Sequence, residues 1–599
     1  MYIMYLNFKK YEAKYKKYKT KYVLYKELQN QLSCEKSNLI GGECVSLPNP
    51  EEEDIVSREN LLDLCPGERI TIQNKCYEVK SLYEWIINSN NNKLPTRARI
   101  TDKEREKLIK AYNKLFSNIL TRNTLIQLYP DLEIEVFIKI NQKKYTSIEL
   151  DAFNDLQGLK SVSLCNNNIY KLQSNTFYNL LNLEYLTLSN NQITKLKSRT
   201  FNELPNLKDL SLNHNKIIKL QFNIFNNLPK LKNLFLNNNK IIELPIGIFN
   251  NLVNLKKLSL DNNQIIELPI GIFNNLVNLK KLSLKNNQII ELPIGIFNNL
   301  ENLEKLILDN NQISVLQLGL FNNLSNLRIL SLCNNQIQEL QPGIFDNLRN
   351  LDSLYLKQNQ IIELQVDIFD NLLNLKILYL QENQIRELQV DIFDNLPKLI
   401  ELFLNYNEII ELQVGTFNNL LNLEILNLSN NQITELQVGT FDNLPKLIEL
   451  FLDVNQIEEL QVGIFNDLLN LEFLSLSENQ IIELQVGIFN NLQNLKNLFL
   501  DVNQIQEIQP GIFDNLYKLE NLNLGINQLK VLRSRTFVSL QELEIIDLRN
   551  NQIEEIQFET FYDLRGIDII YLTNNRIQEL QPPMANSYYG LYEYARIIN

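Results

Sequence analysis

Rings, rather than acids, bases or thiols, are the chemically useful side chains whose spacing stands out in this sequence. Tyr355, Tyr379 and Phe403 fall 24 residues apart, and Phe451 and Phe499 return in the same register further on. Tyr406 follows Phe403 closely, and Phe473 lies between Phe451 and Phe499. Rings in a row on one exposed face supply desolvated contact area, which is how a protein-binding hot spot is built. The alternative is inheritance: "NLPKLIELFL" occurs at 395–404 and again at 443–452, so Phe451 can descend with Phe403 by duplication. Acid–base chemistry has less to work with. His214 is the only histidine, and both zinc coordination and proton transfer at neutral pH lean on that residue. Cys34, Cys44, Cys65 and Cys76 lack paired ligand spacing, and the six cysteines include no CxxC, as in a reducing compartment. Asp309, Asp453 and Asp501 share the face of the rings without a base, nucleophile or ligand cluster, and read as solubilising charge. No catalytic residue, metal or cofactor is expected.

The elements that must position these rings are repeats. The pattern LxxLxLxxNxIxxLxxxxFxxLxx recurs every 24 residues from Leu159 to Leu580, with its Asn column running from Asn167 to Asn575 over eighteen repeats without a break in phase. Alternation in LxL makes a short strand whose leucines point inward while the residue between them points out. Strands stacked in parallel at about 4.8 Å would give a sheet roughly 85 Å long. The Asn column is expected to satisfy backbone groups where the chain leaves the strand, with Gln381, two residues before Asn383, a surface position. The Phe column, Phe177 to Phe561, should stack on the returning segment. One coil cannot bury its own apolar face, so identical coils must share a core. This pattern resembles the leucine-rich repeat family in its 24-residue form, over about 420 of the 599 residues. The resemblance implies an α/β solenoid, a horseshoe with a concave parallel sheet that meets a protein partner. On that face the early repeats carry Ser163, Thr187, Ser211, Ser259 and Ser283, with Phe235 the exception, and the later ones carry the rings. Residues 132–158 read as a degenerate N-terminal cap that keeps Ile138, Ile140, Ile148, Phe153 and Leu156 in phase but has Lys143 where Asn belongs. Residues 582–599, with Tyr588, Tyr589, Leu591, Tyr592, Tyr594 and Ile597, read as a cap or a frayed tail. The repeats proper occupy 159–581.

The first 131 residues follow another logic. Met4, Phe8, Tyr11, Tyr15, Tyr18, Tyr22, Tyr25 and Leu32 have coiled-coil spacing within 1–40, broken at Gln29. Residues 1–38 carry nine Lys and three Glu, +6 in a chain of net charge −12. Two readings stand: an oligomerising or anion-seeking helix, or a solvated helix docked on its own chain. Such Lys/Tyr-rich openings resemble those of proteins encoded by giant viruses of amoebae. Residues 41–54 form a linker, and 55–131 a small α+β domain with a strand at Ile70 and Ile72, a helix from Val79 to Ile87 and a second helix opened by a Thr101–Glu104 capping box. The order Cys65-Pro66, Cys76-Tyr77, Trp85-Ile86, Pro95-Thr96-Arg97 and Ile100-Thr101 resembles the U-box of ubiquitin ligases, which implies docking of a ubiquitin-conjugating enzyme at Pro95, although the first docking loop is shorter here. No apolar run approaches the ~18 residues of a membrane span, and the opening residues lack the apolar core of a secretory signal. The expectation is a non-enzymatic, cytoplasmic protein-interaction scaffold, with a protein partner rather than nucleic acid or membrane, and host factors as partners in the viral reading. The alternative is the substrate-recognition subunit of a ubiquitin ligase.

Overall fold

The computed structural model describes residues 69–72, 75–78, 82, 100–116, 118–141, 144–577 and 596–598. They fall into two compact units, 1–117 and 118–599. In the first unit β1 (Arg69–Ile72) pairs antiparallel with β2 (Lys75–Glu78), so Ile70 and Ile72 do lie on a strand. Helix α1 (Asp102–Phe116) opens as its capping box requires. The Thr101 N–H donates to Glu104 Oε2 at 2.9 Å, and the Glu104 N–H donates back to Thr101 Oγ1 at 3.3 Å. The coiled-coil seam of 1–40, the 41–54 linker, Cys65, Trp85 and Pro95 lie outside the described residues.

The second unit takes in residues from Asn118, ahead of the expected division at 131. Its first elements are β3 (Ile119–Leu120), α2 (Arg122–Leu128), β4 (Phe137–Lys139) and β5 (Ser147–Ile148). Thr121 caps α2 by accepting the Thr124 N–H, β3 pairs with β5, and Leu120, Leu125 and Leu132 enter the core of the array. Ile138, Ile140, Ile148, Phe153 and Leu156 are buried in the degenerate coil. Strand β4 pairs with β6 (Ser161–Ser163), and one parallel strand of three residues follows per coil, each in register with the last: Leu258 lies beside Leu282, and Ser259 beside Ser283. Among the described residues the main sheet has twenty strands, ending with Arg596–Ile598 against Ile569–Tyr571. Its successive pairings form an open ribbon, since among the described residues no register joins that last strand to β4, where Phe137 stays 63% exposed.

The "α" half of the expected class is nearly missing. Within the described repeats the return path is built of turns, with one 3₁₀ turn at Val366–Phe369. A left-handed residue interrupts it in most coils, for example Gly247 at φ 77°, and a right-handed helix cannot run through positive φ. A Cβ at Gly247 would also stand 2.9 Å from the Asn250 side chain.

Each Asn of the ladder is a clamp between two coils. Asn383 Nδ2 donates to Leu380 O of its own coil (2.9 Å) and to Leu356 O of the coil before (3.1 Å). Its Oδ1 accepts the Ile361 N–H at 3.1 Å. Asn263 repeats the set on Leu260, Leu236 and Ile241. On the far side the phenylalanines form an offset stack with nearly parallel planes, Phe201 and Phe225 at 6.4 Å and 12° and Phe537 and Phe561 at 5.6 Å and 6°. Gln381 is not at the surface as expected. It is 7% exposed, stacked by the repeat register between Lys357 and Asn405 of the flanking coils.

The residue before each clamp must adopt positive φ. Asn does so in most coils, such as Asn262 (53°) and Asn430 (55°), but Val454, Val502 and Ile526 hold 56°, 56° and 54°. A β-branched side chain there is strained.

Two predictions follow from the ladder. Removing the Asn383 amide strands three buried backbone groups, so Asn383→Ala should cost about 1–3 kcal/mol, whereas exposed Gln384→Ala should cost little; equilibrium unfolding of both variants reads the difference. Val454→Asn should raise stability by about 1 kcal/mol and Asn430→Val lower it by a similar amount, compared in the same unfolding experiment; no change in either would mean that the turn carries no strain.

Candidate partner-binding face

The outward positions of the strands bring the predicted rings together, in two groups. Ser353–Tyr355, Ile377–Tyr379 and Glu401–Phe403 are neighbouring strands, with Tyr355 beside Tyr379 and Tyr379 beside Phe403. Ring centroids lie 5.1 Å apart at 80° for the first pair and 4.7 Å apart at 57° for the second. These are the tilted geometries that ring quadrupoles favour. Tyr379 Oη donates to Glu401 Oε2 at 2.6 Å. Burial first, and then that carboxylate, push the Tyr379 phenol well above its ordinary pKa, so it stays protonated and locked as a donor. The second group spans Glu449–Phe451, Phe473–Ser475 and Asn497–Phe499. Phe473 occupies the earlier of the two outward positions of its strand and so bridges its neighbours, 4.8 Å from Phe451 and 5.3 Å from Phe499. Asn427 separates the groups, lying in register between Phe403 and Phe451. Tyr406 sits past its strand in a left-handed turn at φ 56°, half-buried.

The rings were expected to be exposed, and all of them are half-buried, because strands one sheet spacing apart make neighbouring rings lean on each other. Sequence reasoning missed Ile377 and Ile425, which widen the apolar strip at the earlier outward position. It also missed Gln381 Oε1 and Asn405 Oδ1, buried polar atoms with no hydrogen-bond partner among the described residues, one column from Tyr379 and Phe403. The signal was present as amides two residues beyond two of the rings.

The three aspartates are not free in solvent. Their column lies just past the strand, half-buried between the same positions of adjacent coils. Asp309 bonds the Ser331 hydroxyl and accepts the Cys333 N–H at 3.1 Å, and Asp501 accepts the Ser477 hydroxyl. Burial lifts the Asp309 and Asp501 carboxyls above their usual range. Asp453 is pushed up to about 6, by burial first, with Glu478 and Asp501 adding to the rise. Among the described residues no three His, Cys, Asp or Glu side chains converge on a metal-sized site, and no helix is long and apolar enough to cross a membrane.

Coils of this build, each with one three-residue strand, one Asn clamp and one stacked Phe, define a parallel solenoid whose sheet face is left to its variable residues. The chain belongs to the leucine rich repeat family, whose model matches overlapping stretches that together cover 138–457 and 470–577. No curated protein sequence matches it. A leucine-rich repeat protein of Leptospira interrogans is 30% identical to it, with 68% of this chain and 94% of that one covered and a TM-score of 0.55. The Toll–Spätzle complex of Drosophila superposes with a TM-score of 0.62 at 21% identity, covering 71% of this chain and 58% of that one. A plant peptide hormone receptor in complex with RGF2 does so at 0.54 and 20% identity, covering 76% and 84%. The last two share the fold alone.

The raised Asp453 carboxyl makes a pH prediction. A folded-state pKa above the unfolded value means that the folded chain holds the proton more tightly, so this group's contribution to stability falls as pH rises from about 4 to about 6. Asp453→Asn should therefore stabilise the protein at pH 7 by about 1–2 kcal/mol and change little at pH 4. Thermal melts of parent and variant at both pH values check it; an equal shift at both would remove ionisation as the cause.

Proposed function

We propose that this chain is a protein-interaction scaffold whose partner docks on the sheet face of the ninth to fifteenth coils, with Tyr355, Tyr379, Phe403, Tyr406, Phe451, Phe473 and Phe499 as anchors. The observation that carries this is the pair of pre-packed ring groups on neighbouring strands. Their orientation is set before any partner arrives, so little side-chain entropy remains to be lost on binding. Proteins of similar fold are recorded with protein or peptide companions, Spätzle for Toll and RGF2 for the plant receptor. Six cysteines with no CxxC spacing support a reducing, cytoplasmic setting, and host proteins are the partners if the Lys/Tyr-rich opening marks a viral origin. The second reading, a ubiquitin-ligase subunit, draws on the Cys65 to Thr101 pattern and on the β1–β2 hairpin within it. Ubiquitin transfer by the full chain with a conjugating enzyme would decide for it.

The test replaces Tyr355, Tyr379 and Phe403 together by Ser. Partner capture in an affinity pull-down should be lost, while the protein still unfolds in one cooperative transition at a somewhat lower midpoint from the lost ring packing, because Ser occupies the same position at Ser259 and Ser283. Ser259→Ala with Ser283→Ala should leave capture unchanged. Undiminished capture by the triple variant would move the interface off these rings.

A further inference from the structure

The residue immediately before each strand forms a continuous ridge along the leading edge of the sheet. Backbone N–H groups donate along it from coil to coil: Lys208 to Glu184 O (2.8 Å), Lys256 to Lys232 O (2.7 Å), Asp352 to Arg328 O (2.8 Å), Glu520 to Lys496 O (2.9 Å) and Glu544 to Glu520 O (2.8 Å). Every ridge side chain reaches solvent. The ridge is polar in the electrical sense: mostly Lys before the ninth coil and mostly Glu or Asp from the ninth onward.

Its signs are related by a two-fold centre between Arg328 and Asp352, a cation beside an anion. One step outward, Glu304 corresponds to Lys376. Further out, Lys256 corresponds to Glu424 and Lys208 to Glu472. Glu184, the other acid of the basic half, corresponds to Lys496, the other base of the acidic half, and Lys160 corresponds to Glu520. Where the correspondence meets an apolar residue, Ile400 opposite Lys280 and Ile448 opposite Lys232, the next residue along is Glu401 or Glu449. Even the two sign reversals in the basic half are thus matched by reversals in the acidic half.

Neighbour pairing within the chain accounts for part of the ridge, as in Lys208–Glu184 (2.7 Å), Lys280–Glu304 (2.5 Å) and Lys496–Glu472 (2.8 Å). It does not account for the correspondence across the centre, and it leaves Lys232, Lys256 and Glu424 without an ion pair among the described residues. At the far end Glu544 is lifted above its ordinary pKa by burial and by the like charges of Glu520 and Asp568.

We propose that this ridge is a self-complementary interface on which a second copy of the chain docks antiparallel, about a two-fold axis through the Arg328–Asp352 centre. In that arrangement each Lys of one copy faces the acid that corresponds to it in the other, and the contact is made twice, as in any isologous dimer. Ion pairs that already exist within a chain meet their mirror: Lys208–Glu184 faces Glu472–Lys496 with each cation opposite an anion. An anionic polymer fits worse, because it would be drawn to one half and repelled by the other.

Sedimentation equilibrium of the full chain tests this. The parent should dimerise at about 50 mM salt and dissociate at about 500 mM, where screening shortens to a few ångströms. Lys160→Glu with Lys256→Glu should weaken self-association by at least about tenfold, and so should Glu424→Lys with Glu520→Lys, because each places like charges opposite one another at four points. Mixing the two double variants should restore a dimer containing one of each, which only folded chains with matched ridges can form. A parent that stays monomeric at low salt, double variants that self-associate as tightly as the parent, or a mixture that fails to associate would each overturn the proposal. Association through residues 1–40 would give the second of these results.

Discussion

The asparagine clamp is the interaction on which the rest of this molecule depends. A three-residue strand is too short to hold its neighbour by ladder bonds alone, and each coil turns away from the sheet with backbone groups unpaired. One amide answers both needs: it donates to carbonyls of two successive coils and accepts an N–H from the earlier one, as Asn383 does on Leu356, Leu380 and Ile361. Because the bonds run between coils, the repeat period cannot drift by a residue without leaving buried polar groups unsatisfied. Phase is therefore locked, and the columns on every face stay aligned.

Aligned columns explain how near-identical repeats acquire distinct surfaces. In a parallel stack a substitution does not stand alone; it stands beside the same position of the next coil. Three rings at one position become a packed strip, Tyr355–Tyr379–Phe403, and a ring at the neighbouring position, Phe473, joins two others across the coil that separates them. The same alignment turns scattered lysines and glutamates into a ridge with a centre of complementarity. The carboxylates of Asp309, Asp453 and Asp501 show the opposite consequence, since flanking by the same column of neighbouring coils partly desolvates them and makes charge costly.

Backbone strain sits in the turn beside the clamp. Val454, Val502 and Ile526 take the left-handed turn that Asn fills elsewhere, and two of the three lie in the coils of Phe451 and Phe499. Apolar residues in that turn extend the ring surface, so the cost in backbone energy falls where the face is most apolar.

By itself the sequence determined the period, the coil number, the inward leucines, the clamp and the phenylalanine stack, because each is written as a repeat along the chain and a repeat cannot bury its apolar face except by stacking. The Thr101–Glu104 cap was legible for a similar reason: both partners sit within one helical turn. Tertiary structure decided what depends on distances between coils. Residues from Asn118 joined the array because Ile119 and Leu120 found a partner in Ser147 and Ile148. The return path became turns because positive-φ residues interrupt it. Gln381 became buried, and the aspartates and rings half-buried, because stacked strands bring like columns within contact, a spacing that lies across the chain and is nowhere expressed along it.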